Sequence, residues 1–240
     1  MIFVFETRHT DRITILVRKL PKNIYALARM VQQPELPLLT QHFLYTRLHP
    51  DSLIPASRIP DDDLPPISGN VYVYTSARAV FYAPSDLSGL GGLCHEWIRL
   101  TQSWYGGPPC RDCVFVENTD LPDAPGMEGL LLARVLLFFS FDHEGGTKYP
   151  CALVHWFSIV GEGPCSETGM WIVEPDFKGS KPVLEVIHLD TILRGAHLIG
   201  VSGTGLLPND LDFTFDKSLD AFKSFYVNKY VDHHAHEIAF

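Results

Sequence analysis

The chain has 240 residues, 46% of them apolar, with 19 Lys and Arg against 28 Asp and Glu and a formal charge of −9. That much apolar material supports a real core and excludes a disordered chain, and the acidic balance argues against a protein that coats nucleic acid. Five cysteines are too few for a secreted disulfide scaffold, and the opening MIFVF meets Glu6, Arg8 and Asp11 too soon for a signal peptide, so an intracellular, reducing compartment is expected.

Charge is uneven along the chain. Residues 1–50 carry seven Lys and Arg against three Asp and Glu, whereas the remainder carries twelve against twenty-five. A mildly basic amino-terminal piece thus precedes an acidic body for which direct nucleic-acid binding is not expected. Met1–Phe5 and Ile13–Val17 form short β-prone runs that suit a hairpin. Leu20–Val31 has helical spacing and is closed by Pro34 and Pro37, and a second helix fits Leu38–Leu48. The stretch from His49 to Gly69 holds five prolines and the triplet Asp61–Asp63. Proline removes a backbone donor and biases its predecessor away from the helix, so residues 51–69 are expected to be an extended linker. Three parts follow, namely a hairpin and helical segment (1–50), the linker (51–69) and a β-barrel-like domain with a carboxy-terminal helix (70–240).

Val71–Tyr82 alternates as a strand should, and residues 84–92 read as a glycine-containing loop. Cys113–Glu117, Leu130–Phe141, Tyr149–Val160, Met170–Val173, Val183–His188 and Ala196–Val201 are further strand candidates. The block Gly129–Val160 stands out as a buried hairpin with Gly145 and Gly146 at its turn, and Leu130–Phe141 is apolar enough for a central strand covered on both faces. That run is about twelve residues long and contains Arg134, well short of the roughly 20 needed to cross a bilayer, so no membrane partner is expected. From Ser218 onward, Leu219, Phe222, Phe225, Tyr226 and Tyr230 recur at helical spacing behind Asp216 or Ser218 as caps, which predicts a carboxy-terminal amphipathic helix. The fold class is therefore α+β and β-dominated, a small barrel or sandwich with an amino-terminal helical segment. The strand series with a tryptophan-bearing hairpin is similar in pattern to SH3-like barrels and to chromatin-reading modules such as the bromo-adjacent homology domain.

Chemistry is sparse. Cys110 and Cys113 form a CxxC pair, but the nearest second pair, Cys94-His95, is adjacent and splays across a strand, so zinc sees half a site and packed thiols are the simpler reading. Near the end, His233 and Glu237 stand four apart, as do Asp232 and His236, and His233, His236 and Glu237 offer ligands for a divalent metal. The bland alternative is a polar helix end. His188, Asp190, Arg194 and His197 form a third cluster, in which Asp190 fits a cap on a short turn. Tyr149, Trp156, Phe157 and Trp171 lie on neighbouring strands and could frame a cation cage of the kind that reads methylated lysine, provided two or more rings are exposed around one hollow. No nucleophile elbow, phosphate loop or dinucleotide fingerprint is present.

The phrases VYVYTSARAVFYAPSDLSGLGG (71–92), RDCVFV (111–116), ARVLLFFSF (133–141), YPCALVHWF (149–157), TGMWIVEPDF (168–177), VIHLDTILRGAHLI (186–199) and SLDAFKSFYVNKYVDHHAHEIAF (218–240) occur in that order. Together they resemble the carboxy-terminal region of large proteins of uncharacterised function encoded in basidiomycete fungi by DNA transposons of the Plavaka and Kyakuja-Dileera-Zisupton type. The resemblance spans about residues 38–240, and departs at Gly200, where those proteins continue with proline. It implies a non-catalytic accessory binding or assembly module, the nuclease core lying upstream in such elements. It carries over no catalytic residue and implies no cofactor. The implied partners are the transposase portion, another copy of the protein, or chromatin, and the implied location is intracellular, with the nucleus as the finer expectation. A chromatin reader using the aromatic cage and a metal-dependent enzyme using the terminal histidines are the alternatives.

Overall fold

The computed structural model describes residues 22–83, 91–101, 109–121, 124–203 and 217–240. The expected hairpin in residues 1–17, the loop at 84–90 and the Asp216 cap lie outside them. Four helices are present among the described residues: α1 (Ile24–Met30), α2 (Leu36–Leu48), α3 (Ser218–Ala221) and α4 (His233–Ala239). The strands are β1 (Val71–Tyr74), β2 (Ser76–Tyr82), β3 (Leu93–Thr101), β4 (Cys110–Arg111), β5 (Cys113–Glu117), β6 (Leu130–Asp142) and β7 (Lys148–Val160). They continue as β8 (Ile172–Pro175), β9 (Phe177–Lys178), β10 (Lys181–Pro182), β11 (Leu184–His188), β12 (Ile192–Ala196), β13 (Leu198–Gly200) and β14 (Phe225–Val227).

The expected hairpin is β6–β7, paired from Leu132 opposite Phe157 to Asp142 opposite Lys148. Gly145 and Gly146 close it at φ 76° and 80°, a region costly for residues with a Cβ, and the His143 N–H donates to the Thr147 carbonyl at 2.8 Å. Each strand is long enough to serve two neighbours on its outer edge. The first half of β6 pairs with β5 and the second half with β1, while β7 pairs with β11 and then, further along, with β8. The register slips between Val135 and Leu137, leaving Leu136 as a bulge. Such a bulge swaps the facing parity, so Leu130 and Leu132 before it and Leu137, Phe139 and Phe141 after it share one side of the sheet.

The order β5–β6–β7–β8–β14–β13 curls back on itself, because β12, which pairs with β5, is separated from β13 by His197 alone. A nearly closed antiparallel barrel results, and the fold is α+β and β-dominated as the sequence predicts. Phe115, Leu132, Phe157, Val173, Phe225 and Val227 fill it, and Ala239 and Phe240 at the end of α4 pack against the same core. Two further cores lie beyond the barrel. On one face of the long hairpin α1 and α2 bury Ile24, Leu27, Leu36 and Leu44 against Phe139, Phe141 and Leu153. Covering the other face, β2 and β3 bury Ala77, Ala79 and Ile98 against Val135, Phe138 and Val154. β6 is thus covered on both faces, and the helical segment shares a core with the sheet instead of standing apart as a separate unit. Residues 51–69 cross the surface in two short 3-10 turns, Ala56–Arg58 and Asp61–Asp63, and are pinned by buried Ala56, Leu64 and Ile67.

Four elements differ from the sequence reading. Val71–Tyr82 is two strands in different sheets, split at Thr75, because Val71 pairs opposite Phe141 while Ala77 turns to face Ile98. β3 is unforeseen, its buried Cys94 and Ile98 being masked by the charged residues that alternate with them. β12 replaces a predicted turn, since its pairing with β5 closes the barrel wall. Last, the carboxy-terminal helix is interrupted: Ser218 opens only the four-residue α3, and helix resumes at His233. Phe225 and Val227 point into the barrel from β14, and pairing with β8 and β13 outweighs the helical spacing. Gly200 fits this closure, for a Cβ there would run into the Phe222 ring.

Phe139, fully buried beside the bulge, should lose about 3–5 kcal/mol of unfolding free energy on Phe139→Ala. Leu53→Ala, at a side chain that is 99% exposed, should change it by less than about 0.5 kcal/mol. Urea denaturation of the two variants checks the pair.

Candidate functional site

Arg134 interrupts an otherwise apolar strand. It stands directly opposite His155 of β7 on the barrel-facing side, two positions from Phe157, where the barrel core ends and the helix-side core has not begun. Only 8% of Arg134 is exposed, so its charge needs a partner. That partner is Asp220 on α3, whose two carboxylate oxygens accept from Nη1 at 2.6 Å and Nη2 at 3.3 Å. The Asp220 side chain is itself 64% exposed. Buried Nε of Arg134 has no hydrogen-bond partner among the described residues.

Around this pair lies a cavity of about 320 Å³, between the end of β8 and the turn that carries α3. Phe157, Phe177 and Phe222 line it together with Pro175 and Leu219. Phe177 is 56% exposed and meets the His155 ring edge-on at 5.2 Å. The His155 Nε2 donates to the Asp176 carbonyl at 2.8 Å, which fixes the ring against the strand end. Lys223 and Glu174 form a second, exposed ion pair at 3.5 Å on the rim. The hollow is therefore lined mainly by apolar surface with two compensated charge pairs, a composition suited to holding a side chain. A larger hollow of about 650 Å³ beside Tyr25, Arg29 and Pro37 is lined, among the described residues, from α1, the turn after it and the start of α2.

Of the four rings expected to form a cage, Phe157 alone lines this cavity. Tyr149 stacks on Phe141 at 5.3 Å in the helix-side core. Trp156, one residue before Phe157, faces the opposite side and donates from Nε1 to Glu185 at 2.8 Å. Trp171 packs against the barrel core, so the four rings are distributed over three cores. Strand alternation separates Trp156 from Phe157.

The terminal histidines do not converge. His233 lies 3.6 Å from Glu237 on the same exposed face of α4, while His236 makes an edge contact with the Phe240 ring at 6.1 Å. Among the described residues no group of three His, Cys, Asp or Glu side chains is placed to hold a metal ion. Asp232 caps α4 through the Ala235 N–H and grips buried Arg194 with both oxygens, at 2.8 and 2.6 Å. Arg194 also lies 4.8 Å over the Phe81 ring and 3.5 Å from Glu96, which fastens α4 to β2 and β3. Burial pushes the Asp232 carboxyl up, but Arg194 and the Ala235 amide outweigh it and hold it below the usual carboxylate range.

In the third cluster the cap is His188, not Asp190. The His188 Nδ1 accepts the Asp190 N–H at 3.2 Å, because the strand end presents the imidazole while the Asp190 side chain is left largely exposed. His197 accepts from the Asn228 side chain at 3.1 Å. The CxxC thiols are pushed up by burial, to about 11 for Cys110 and about 12 for Cys113, and so stay protonated and unreactive. Cys94 and Cys113 belong to different cores. No helix among the described residues is long and apolar enough to cross a membrane. No protein-family model, curated protein or solved structure matches the chain.

Arg134 was visible in the sequence as a charge inside an apolar run, a placement that demands a buried partner. Asp220 and Phe222, more than eighty residues later, carried no such sign.

Burial lowers the proton affinity of His42 and His188, despite Asp61 and Asp190 nearby. Below the ordinary histidine value of 6.5 the unfolded chain therefore binds protons that the folded chain resists, so stability is complete above that pH and falls as pH drops through and below it. Urea melts from pH 7.5 to 5 should show this decline, and His188→Asn should flatten part of it. Asp232→Ala leaves buried Arg194 with Glu96 as its one carboxylate among the described residues, at 3.5 Å, and should cost about 3 kcal/mol at pH 7 in the same assay.

Proposed function

We propose that the chain is a non-catalytic binding and assembly module that holds an extended peptide segment of a partner protein at the mouth of its barrel. One observation carries this reading, the Arg134 cavity with its three phenylalanines and two internally compensated charge pairs. Such a site supplies apolar area for an anchoring side chain and polar groups to orient it. The resemblance of the ordered phrases to fungal transposon-encoded proteins supports an origin as an accessory part of such a protein. On that origin the partner is the transposase portion, a second copy, or a chromatin protein, and the setting is the nucleus.

The methyl-lysine reading gains one favourable feature here, since Phe177 and Phe222 border one hollow with Glu174 and Asp220. Against it, a guanidinium sits at the floor of that hollow and repels a second cation.

Selection of displayed random peptides against the intact chain tests the proposal. Enriched peptides should bind Phe177→Ala at least about tenfold more weakly, a loss of about 1.4 kcal/mol, with the thermal melt unchanged because the ring is largely exposed. No enrichment, or enrichment insensitive to Phe177→Ala, would reject the reading.

A further inference from the structure

The two members of the Arg134–Asp220 pair are held very differently. Arg134 belongs to the central strand of the sheet, paired with Cys113 on one side and His155 on the other, and cannot leave without breaking both ladders. Asp220 sits on a four-residue helical turn, with a largely exposed side chain. The fixed member of the pair is thus the cation, and the member that can be exchanged is the carboxylate.

Exchange is governed by charge compensation. A buried guanidinium stripped of its carboxylate is strongly destabilised, so whatever displaces Asp220 must restore a negative charge with fork geometry. A neutral or cationic group fails that requirement. The walls beside the guanidinium are Phe157, Phe177 and Phe222, which favour an aromatic or aliphatic group adjoining the anion.

Building on the peptide-binding reading, we propose that the cavity recognises an acidic peptide motif, an Asp or Glu carboxylate next to a large apolar residue, and that Asp220 is a built-in competitor occupying the carboxylate position. The guanidinium of Arg134 takes the incoming carboxylate on its two Nη groups, the neighbouring apolar side chain enters between Phe177 and Phe222, and Asp220 is released to solvent. Lys223 on the rim is already paired with Glu174 at 3.5 Å, so the guanidinium of Arg134 is the cation left for the incoming carboxylate. The competitor lowers the apparent affinity by the fraction of molecules in which it occupies Arg134, so its removal raises affinity without any new contact.

The test uses the full chain and three blocked peptides, acetyl-Ala-Phe-Asp-Ala-amide and its counterparts with Asn or Lys in place of Asp, followed by amide NMR titration. The Asp peptide should shift the amides of Phe157, Phe177 and Phe222 and bind at least about tenfold more tightly than the Asn or Lys peptide. Its affinity should rise about tenfold in Asp220→Asn, and Arg134→Lys should reverse that gain in the Asp220→Asn background while keeping a cooperative melt. Equal binding of the Asp and Asn peptides, preference for the Lys peptide, or an affinity unchanged by Asp220→Asn would overturn acidic recognition. Shifts at the cavity with any of the three peptides would leave the peptide-binding reading standing, whereas no shift there with any of them counts against both.

Discussion

The β6–β7 pairing is the constraint on which the rest of the molecule depends. Two thirteen-residue strands are long enough for each outer edge to be shared by two neighbours, so one hairpin organises a barrel at one end and an open sheet at the other. The bulge at Leu136 keeps this arrangement consistent. Without it, Leu137, Phe139 and Phe141 would change sides relative to Leu130 and Leu132, and α1 and α2 would face the wrong set of side chains. Three cores meet on these strands, so loosening the hairpin would unsettle all of them together.

The last part of the chain is fastened to this frame by charge as well as packing. Arg134 and Arg194, both nearly buried, each grip an aspartate beyond residue 216 through two hydrogen bonds. Buried ion pairs contribute little net stability relative to apolar packing, but they penalise wrong arrangements heavily because a stranded charge is so costly. Their role here differs with the exposure of the acid. Asp232 also caps α4 and is one-third exposed, whereas Asp220 makes no second contact of that kind and lies mostly in solvent. The first pair thus serves as a fastening and the second as an exchangeable contact at the edge of a cavity.

Functional reasoning follows from that difference. The residues that looked most chemical, the histidines of α4 and the CxxC thiols, are dispersed, paired locally or kept protonated by burial. The residues that gather around one hollow are three phenylalanines, an imidazole tied to a backbone carbonyl and two ion pairs, Arg134 with Asp220 and Lys223 with Glu174. This composition offers apolar area and oriented polar groups to a side chain.

What the sequence determined by itself was local and periodic. Gly145-Gly146 between two apolar runs specified the hairpin, and the spacing of Ile24, Leu27, Ala28 and Val31 specified a helix. Tertiary structure alone decided where non-local partners met. Phe225 and Tyr226 have helical spacing with Leu219, Phe222 and Tyr230 yet lie in a strand, because a barrel lacking its last wall offers more burial than an isolated helical turn. Trp156 and Phe157, adjacent in sequence, serve different cores because alternation sends them to opposite faces. The cavity arises only when β6, β8 and the turn at Asp220 are brought together, and contacts across such separations are set by the closure of the sheet, which no local pattern encodes.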